Sequence, residues 1–142
     1  MTPGARLLAL IATGGFGVLL AMGFIWATSS ERVRTFSVGG MVLEGRMANS
    51  DSEWRQGLSG TKPELPLANK TMLFVFPQRM VRTFWMKDML FPLDIYWFAG
   101  DDLVGVSKGV EPPQAGEEPA TVVSEGPVDR VLEVPAGTTL NF

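Results

Sequence analysis

Apolar and polar residues alternate along most of this chain once its first thirty or so positions are past. Thr35-Phe36-Ser37-Val38 alternates, and so does the run from Met41 to Met47. Gly39-Gly40 between them is a turn signal, so the spacing predicts a hairpin. Ser50-Asp51-Ser52-Glu53 has the form of a capping box, with Ser50 as N-cap and Glu53 reaching back. A short helix through Gln56, stopped by Gly57, should follow. Gly57 to Lys70 reads as a loop, because Gly60, Pro63 and Pro66 interrupt it. Met72 to Phe76 is apolar on both alternating faces, which predicts a central strand ended by Pro77. Thr83–Lys87 is a second extended piece, and Pro92 separates it from a third strand, Asp94–Phe98. Gly100-Asp101 is a turn, after which Leu103–Val106 pairs back. Residues 111–119 are acidic and Pro-rich, as a surface loop is. Thr121–Ser124 and Arg130–Val134 are late strands, with Thr138–Phe142 as a last one.

Many short strands, one short helix and no βαβ rhythm predict a mainly β, partly α+β fold. The expected form is a compact barrel-like or sandwich domain of short antiparallel strands, spanning residues 31–142. Residues 1–30 are different. Leu7 to Ala27 holds 21 residues and no charge. About 20 apolar residues span a bilayer as a helix. Arg6 before the run favours an N-terminus inside and the remainder outside. A transmembrane anchor, or uncleaved signal, is therefore expected ahead of the domain. A cleaved signal would leave the domain secreted or periplasmic, but it needs small residues at its cleavage site, and Ile25 is not small.

Composition narrows the chemistry. The chain has neither Cys nor His. That removes disulfides, a lipoprotein anchor, thiol nucleophiles, His-based triads and the usual zinc ligand sets. Beyond the apolar run, 11 basic residues face 15 acidic ones. A nucleic-acid partner needs a basic patch, so none is expected. No cofactor or metal is called for.

The stretch Thr71–Phe98 holds five of the nine Phe, two Trp (Trp85 and Trp97) and the only Tyr, Tyr96. Aromatic rings bury the most area per residue, so the core should centre here. Charges interrupt it at Lys87, Asp88 and Asp94. A charge in an apolar run must be paired, exposed or functional. Trp85 and Tyr96 beside Lys87, Asp88 and Asp94 would make an aromatic wall with a polar cluster, as ligand-binding clefts have. The bland alternative makes Trp85 and Tyr96 core, lets Lys87 snorkel, and has Asp94 cap a turn. Asp88 and Asp94 could also act as an acid/base pair or as oxygen ligands, though their spacing fits no calcium loop. Ser59-Gly60-Thr61-Lys62 has the S-x-x-K form of serine acyl-enzymes, but the prolines around it argue against the helix start that motif needs. Arg55 and Glu133 read as an internal ion pair or as exposed charges.

Several blocks resemble the family called domain of unknown function 192, small bacterial and archaeal proteins. They are Arg55-Gln56-Gly57-Leu58, Met72-Leu73-Phe74-Val75-Phe76, Phe84-Trp85-Met86-Lys87-Asp88 and Pro92-Leu93-Asp94-Ile95. Pro112 and Leu132-Glu133-Val134, followed by Ala136-Gly137, complete the order. The likeness runs from about Phe36 to Phe142. It implies a small β-rich, barrel-like domain, often behind an export or anchor segment, and no established reaction. Three departures stand out. The family usually has Met after Gly-Leu, then Arg, where Ser59-Gly60 stand here. It usually has Asn at Asp88. It usually closes with a further Gly-Asp strand, which Thr138–Phe142 does not match.

The combined expectation is a membrane-anchored, extracytoplasmic module that binds a small ligand, a glycan or an envelope protein. A hydrolase-like enzyme using Asp or Lys, and a purely structural envelope protein, are the alternatives.

Overall fold

The computed structural model describes residues 32–142. The expected transmembrane helix lies outside the described residues. Among the described residues no helix is long and apolar enough to cross a membrane.

Strands β1 (Arg34–Val38) and β2 (Met41–Ala48) form the expected hairpin. Both turn glycines adopt positive φ, 57° at Gly39 and 76° at Gly40, as a two-residue hairpin turn requires. Helix α1 (Asp51–Gln56) follows, then a 3-10 turn at Leu67–Lys70 inside the segment expected to be loop. The remaining strands are β3 (Met72–Met80), β4 (Thr83–Trp85), β5 (Leu93–Ala99), β6 (Asp102–Val110), β7 (Thr121–Val123) and β8 (Val128–Pro135). Six of them make one curled, half-barrel sheet in the order β1-β2-β3-β8-β5-β6. β4 and β7 form a separate two-stranded ribbon.

The sheet is not wholly antiparallel, as had been expected. β2 and β3 run parallel, pairing Arg46 with Met72, Met47 with Leu73 and Ala48 with Phe74. Parallel neighbours need a crossover, and α1 with the segment after it supplies one. Pro77 does not end β3. The ladder with β8 slips between Val75 and Met80, and Pro77 sits within that irregular stretch, where its missing N–H costs nothing. Of Thr83–Lys87, only Thr83–Trp85 is strand, and it pairs with β7 rather than with the main sheet. Thr138–Phe142 forms no strand. Phe142 instead packs its ring 5.0 Å from Tyr96 and 5.2 Å from Phe98. The capping box is made only in part. Glu53 Oε2 accepts from the Asn49 N–H at 2.9 Å, one residue early, and the Ser50 hydroxyl turns to Ser52.

Both faces of the sheet's central strands are covered. Along β5, Leu93, Ile95 and Trp97 enter one core with Phe74, Met72 and Val131. Trp54 of α1, Phe84 of β4 and Val122 of β7 close that core from above. Tyr96 and Phe98 point the other way, into a second core with Phe36, Leu73 and Leu132. β3 lies between β2 and β8, so its doubly apolar pattern reads correctly as a central strand.

The hairpin turn gives a paired test. A Cβ on Gly39 would come within 2.7 Å of Phe98 and 2.8 Å of Phe142, whereas one on Gly40 would meet nothing within 4 Å. Each Gly→Ala change carries the left-handed backbone cost of about 1–3 kcal/mol. Gly39→Ala is expected to exceed Gly40→Ala, read as the larger drop in urea midpoint.

Candidate functional site

Arg46, Met72, Glu133 and Ile95 are partners across four successive strands, β2, β3, β8 and β5. Residues in register share a face, so Arg46 and Glu133 both point to the side that α1 covers. Two strand spacings separate them, about 10 Å at the backbone. Arg46 is buried, and its guanidinium donates to Thr61 Oγ1 at 2.9 Å, Gly57 O at 3.4 Å and Asn69 O at 3.5 Å. It thus ties the crossover down onto the sheet. Burial pushes the Glu133 carboxyl up to about 8, against the opposing pull of the Arg46 charge. Glu133 is therefore internal, as one reading of the sequence had it, but its charged neighbour is Arg46. Arg55 is exposed and, among the described residues, pairs with Asp51 at 4.0 Å.

The crossover and the ribbon leave a trough around α1. At one end, a cleft of about 590 Å³ has Arg46 in its lining, with Glu53, Gln56, Ser59, Thr61 and Lys62. Gln56, Ser59 and Gly60 continue into a second cleft of about 470 Å³, where Trp85, Lys87 and Asp88 join them. Arg55 and Trp85 lead on into a third of about 510 Å³, bounded by Trp54, Thr83 and Thr121. The three share lining residues in sequence and so form one elongated depression. A narrow cavity of about 20 Å³ under α1 carries it inward toward Glu133. That is room for about one water molecule.

Two hydrogen bonds stitch the middle of the trough. Gly60 N–H donates to Asp88 O, and Ser59 Oγ donates to Lys87 O, both at 2.8 Å. Ser59 thus serves a turn rather than a helix start. Asp88 holds φ at 56°, the one left-handed non-glycine among the described residues. Asp tolerates this region better than most residues.

Of the residues proposed from sequence, Trp85, Lys87 and Asp88 come together. Trp85 is 54% exposed, and the Lys87 ammonium lies 5.2 Å from its ring centre. Asp94 and Tyr96 lie apart from them. Both are buried and line none of these clefts. Asp94 accepts from Gly109 N–H at 2.8 Å and from Gly137 N–H at 3.1 Å, one bond per carboxylate oxygen. It joins the end of β6 to the turn after β8. Tyr96 sits in the second core, with the Lys108 ammonium 5.8 Å from its ring. No group of three or more acidic side chains able to hold a metal gathers among the described residues. Sequence reading missed Arg46, Gln56 and Thr61. Arg46 shares its strand face with Ala48, a periodicity that places it inward, but Val42 and Glu44 on that same face are exposed because nothing covers that part of β2.

The fold and trough define a small, curled β domain with a polar groove beside its one helix. A family model, domain of unknown function 192, described as "uncharacterized ACR", matches residues 27–142. The chain belongs to that family. Two crystal structures are similar. One, from Sinorhizobium meliloti and provisionally described as a transcription regulator, is 28% identical over 75% of this chain and 80% of its own, with a TM-score of 0.58. The other, a protein of unknown function from Novosphingobium aromaticivorans, is 27% identical over 74% of this chain and 72% of its own, with a TM-score of 0.57. No curated protein matches the chain.

Two predictions arise from the buried carboxyls. Asp94→Ala strands two N–H groups and should cost about 2–4 kcal/mol in urea unfolding. For Glu133, the fold favours the neutral form. Its contribution to stability is full below its ordinary value of 4.5 and is lost as pH rises toward about 8. The Tm of the wild type should therefore fall more steeply across that window than the Tm of Glu133→Gln.

Proposed function

We propose that this domain is a non-enzymatic binding module, held at the extracytoplasmic face of the membrane by the apolar run at residues 7–27, and that its trough takes a glycan. The observation that carries this reading is the half-exposed Trp85 indole in the groove that the three clefts form. A flat aromatic face offers a sugar ring an apolar platform. Arg55, Gln56, Ser59 and Asp88 stand around it as hydrogen-bonding groups for ring hydroxyls. Three joined clefts suit a chain of sugars better than one compact molecule. Asp94 and Tyr96 support the scaffold in this reading and touch no ligand.

The net negative charge favours neither nucleic acid nor anionic lipid as the partner. The test uses the full chain in detergent on a glycan array, beside Trp85→Ala. Trp85 is far from fully buried, so the variant should keep its Tm while losing about tenfold or more in retention. Retention unchanged in Trp85→Ala would remove the platform from the mechanism. Glycan turnover on the array would move the reading to the hydrolase, and capture of an envelope protein in place of sugar would move it to protein recognition. Protease treatment of intact cells should cut the domain without lysis; protection until lysis would overturn the extracytoplasmic placement.

A further inference from the structure

We infer that the end of the trough lined by Arg46 and Lys62 reads a carboxylate, so that the glycan it takes is an acidic one. This rests on the glycan reading above and adds the chemistry of one subsite. The cleft of about 590 Å³ is within the range of small-molecule sites. Its lining brings two cations, Arg46 and Lys62, against one carboxylate, Glu53, in a chain whose net charge is −3. The local balance thus runs against that of the molecule. Glu53 is buried and already accepts the Asn49 N–H at 2.9 Å. Arg46 spends its fork on Thr61, Gly57 and Asn69. Lys62 is the cation left for a ligand: it makes no ion pair among the described residues, whereas Arg55, Arg79 and Arg130 each have an acidic partner.

The other donors fit the same ligand. Ser52, Gln56, Ser59 and Asn69 line the cleft with groups that hydrogen-bond hydroxyls, and Leu65 gives it one apolar wall. One net positive charge suits a single carboxylate better than a phosphate, which carries about −1.5 to −2. The cleft joins the Trp85 platform through Gln56, Ser59 and Gly60. A sugar acid in the cleft would therefore leave its neighbouring residues in the chain to lie toward Trp85.

The experiment measures the full chain in detergent against matched oligosaccharides: trigalacturonate and its neutral counterpart trigalactose, with triglutamate as an acidic peptide. Wild type and Lys62→Gln are compared at low and high salt. Trigalacturonate is expected to bind about tenfold tighter than the neutral sugar, and Lys62→Gln to abolish that preference. The preference should also shrink at high salt. Equal binding of acidic and neutral sugars would overturn this inference and leave the glycan reading standing. A preference that survives Lys62→Gln would overturn the assignment to this cleft. Binding of triglutamate without either sugar would overturn both. Failure of all three to bind would overturn the inference.

Discussion

The burial of Arg46 is the constraint on which the site depends. A guanidinium cannot lose its charge, so once it is inside the protein its hydrogen bonds must be supplied there. Here they come from the crossover: the Thr61 hydroxyl and the Gly57 and Asn69 carbonyls close over it. The same residue makes the backbone bond that brings the chain back, its N–H donating to Thr71 O at 2.8 Å. Gly45 beside it has no room for a side chain, since a Cβ would stand 2.8 Å from that same carbonyl. Parallel pairing of β2 with β3, the path of the crossover and one end of the trough therefore all meet at one buried cation. Glu133, in register two strands away, lies on the same face under the helix, where burial favours its neutral form.

That clamp alone would fix only the inner edge of the trough. The outer edge is fixed by the bonds from Gly60 and Ser59 to the carbonyls of Asp88 and Lys87. Those bonds need the turn at Asp88 to present its carbonyls upward, and a left-handed residue does this. Residue 88 is thus accounted for by its backbone conformation, which Asp tolerates, while its side chain also borders the trough.

Much of the fold was legible because it is local. Gly39-Gly40 needs no partner to be a turn, and alternation along Asp94–Phe98 sends side chains to two sides whatever covers them. What was not legible depends on distant residues. A helix of six residues gives no βαβ rhythm, so the parallel pair left no periodic trace. Pro77 reads as a strand end unless β8 is known to slip beside it. The charged cluster misled by adjacency: Lys87, Asp88 and Asp94 are close in sequence, yet the first two follow the β4 ribbon and the third points to the far side of β5. Alternation already carried part of that answer, since Asp94 and Tyr96 must share a side opposite to Ile95. Arg46 was the hardest to find, because an arginine in an alternating strand is ordinarily an exposed one.

Helix α1 forms one wall of the trough, and six residues cannot hold a helix by themselves in water. Its stability is borrowed through Trp54, whose indole N–H reaches the Ala48 carbonyl at 3.1 Å and the Val75 carbonyl at 3.2 Å while its ring packs 4.9 Å from Phe76. The wall is thus pinned at one aromatic side chain and one carboxylate, with its outer face free. Any ligand that touches both α1 and the Lys87–Asp88 turn ties together two segments that otherwise meet through a few hydrogen bonds, and mass action then stabilises the domain in proportion to occupancy. Binding there would therefore be coupled to the stability of this corner of the fold, because Ser59 and Gly60, which line the groove, also make the bonds that hold the crossover to the Lys87–Asp88 turn.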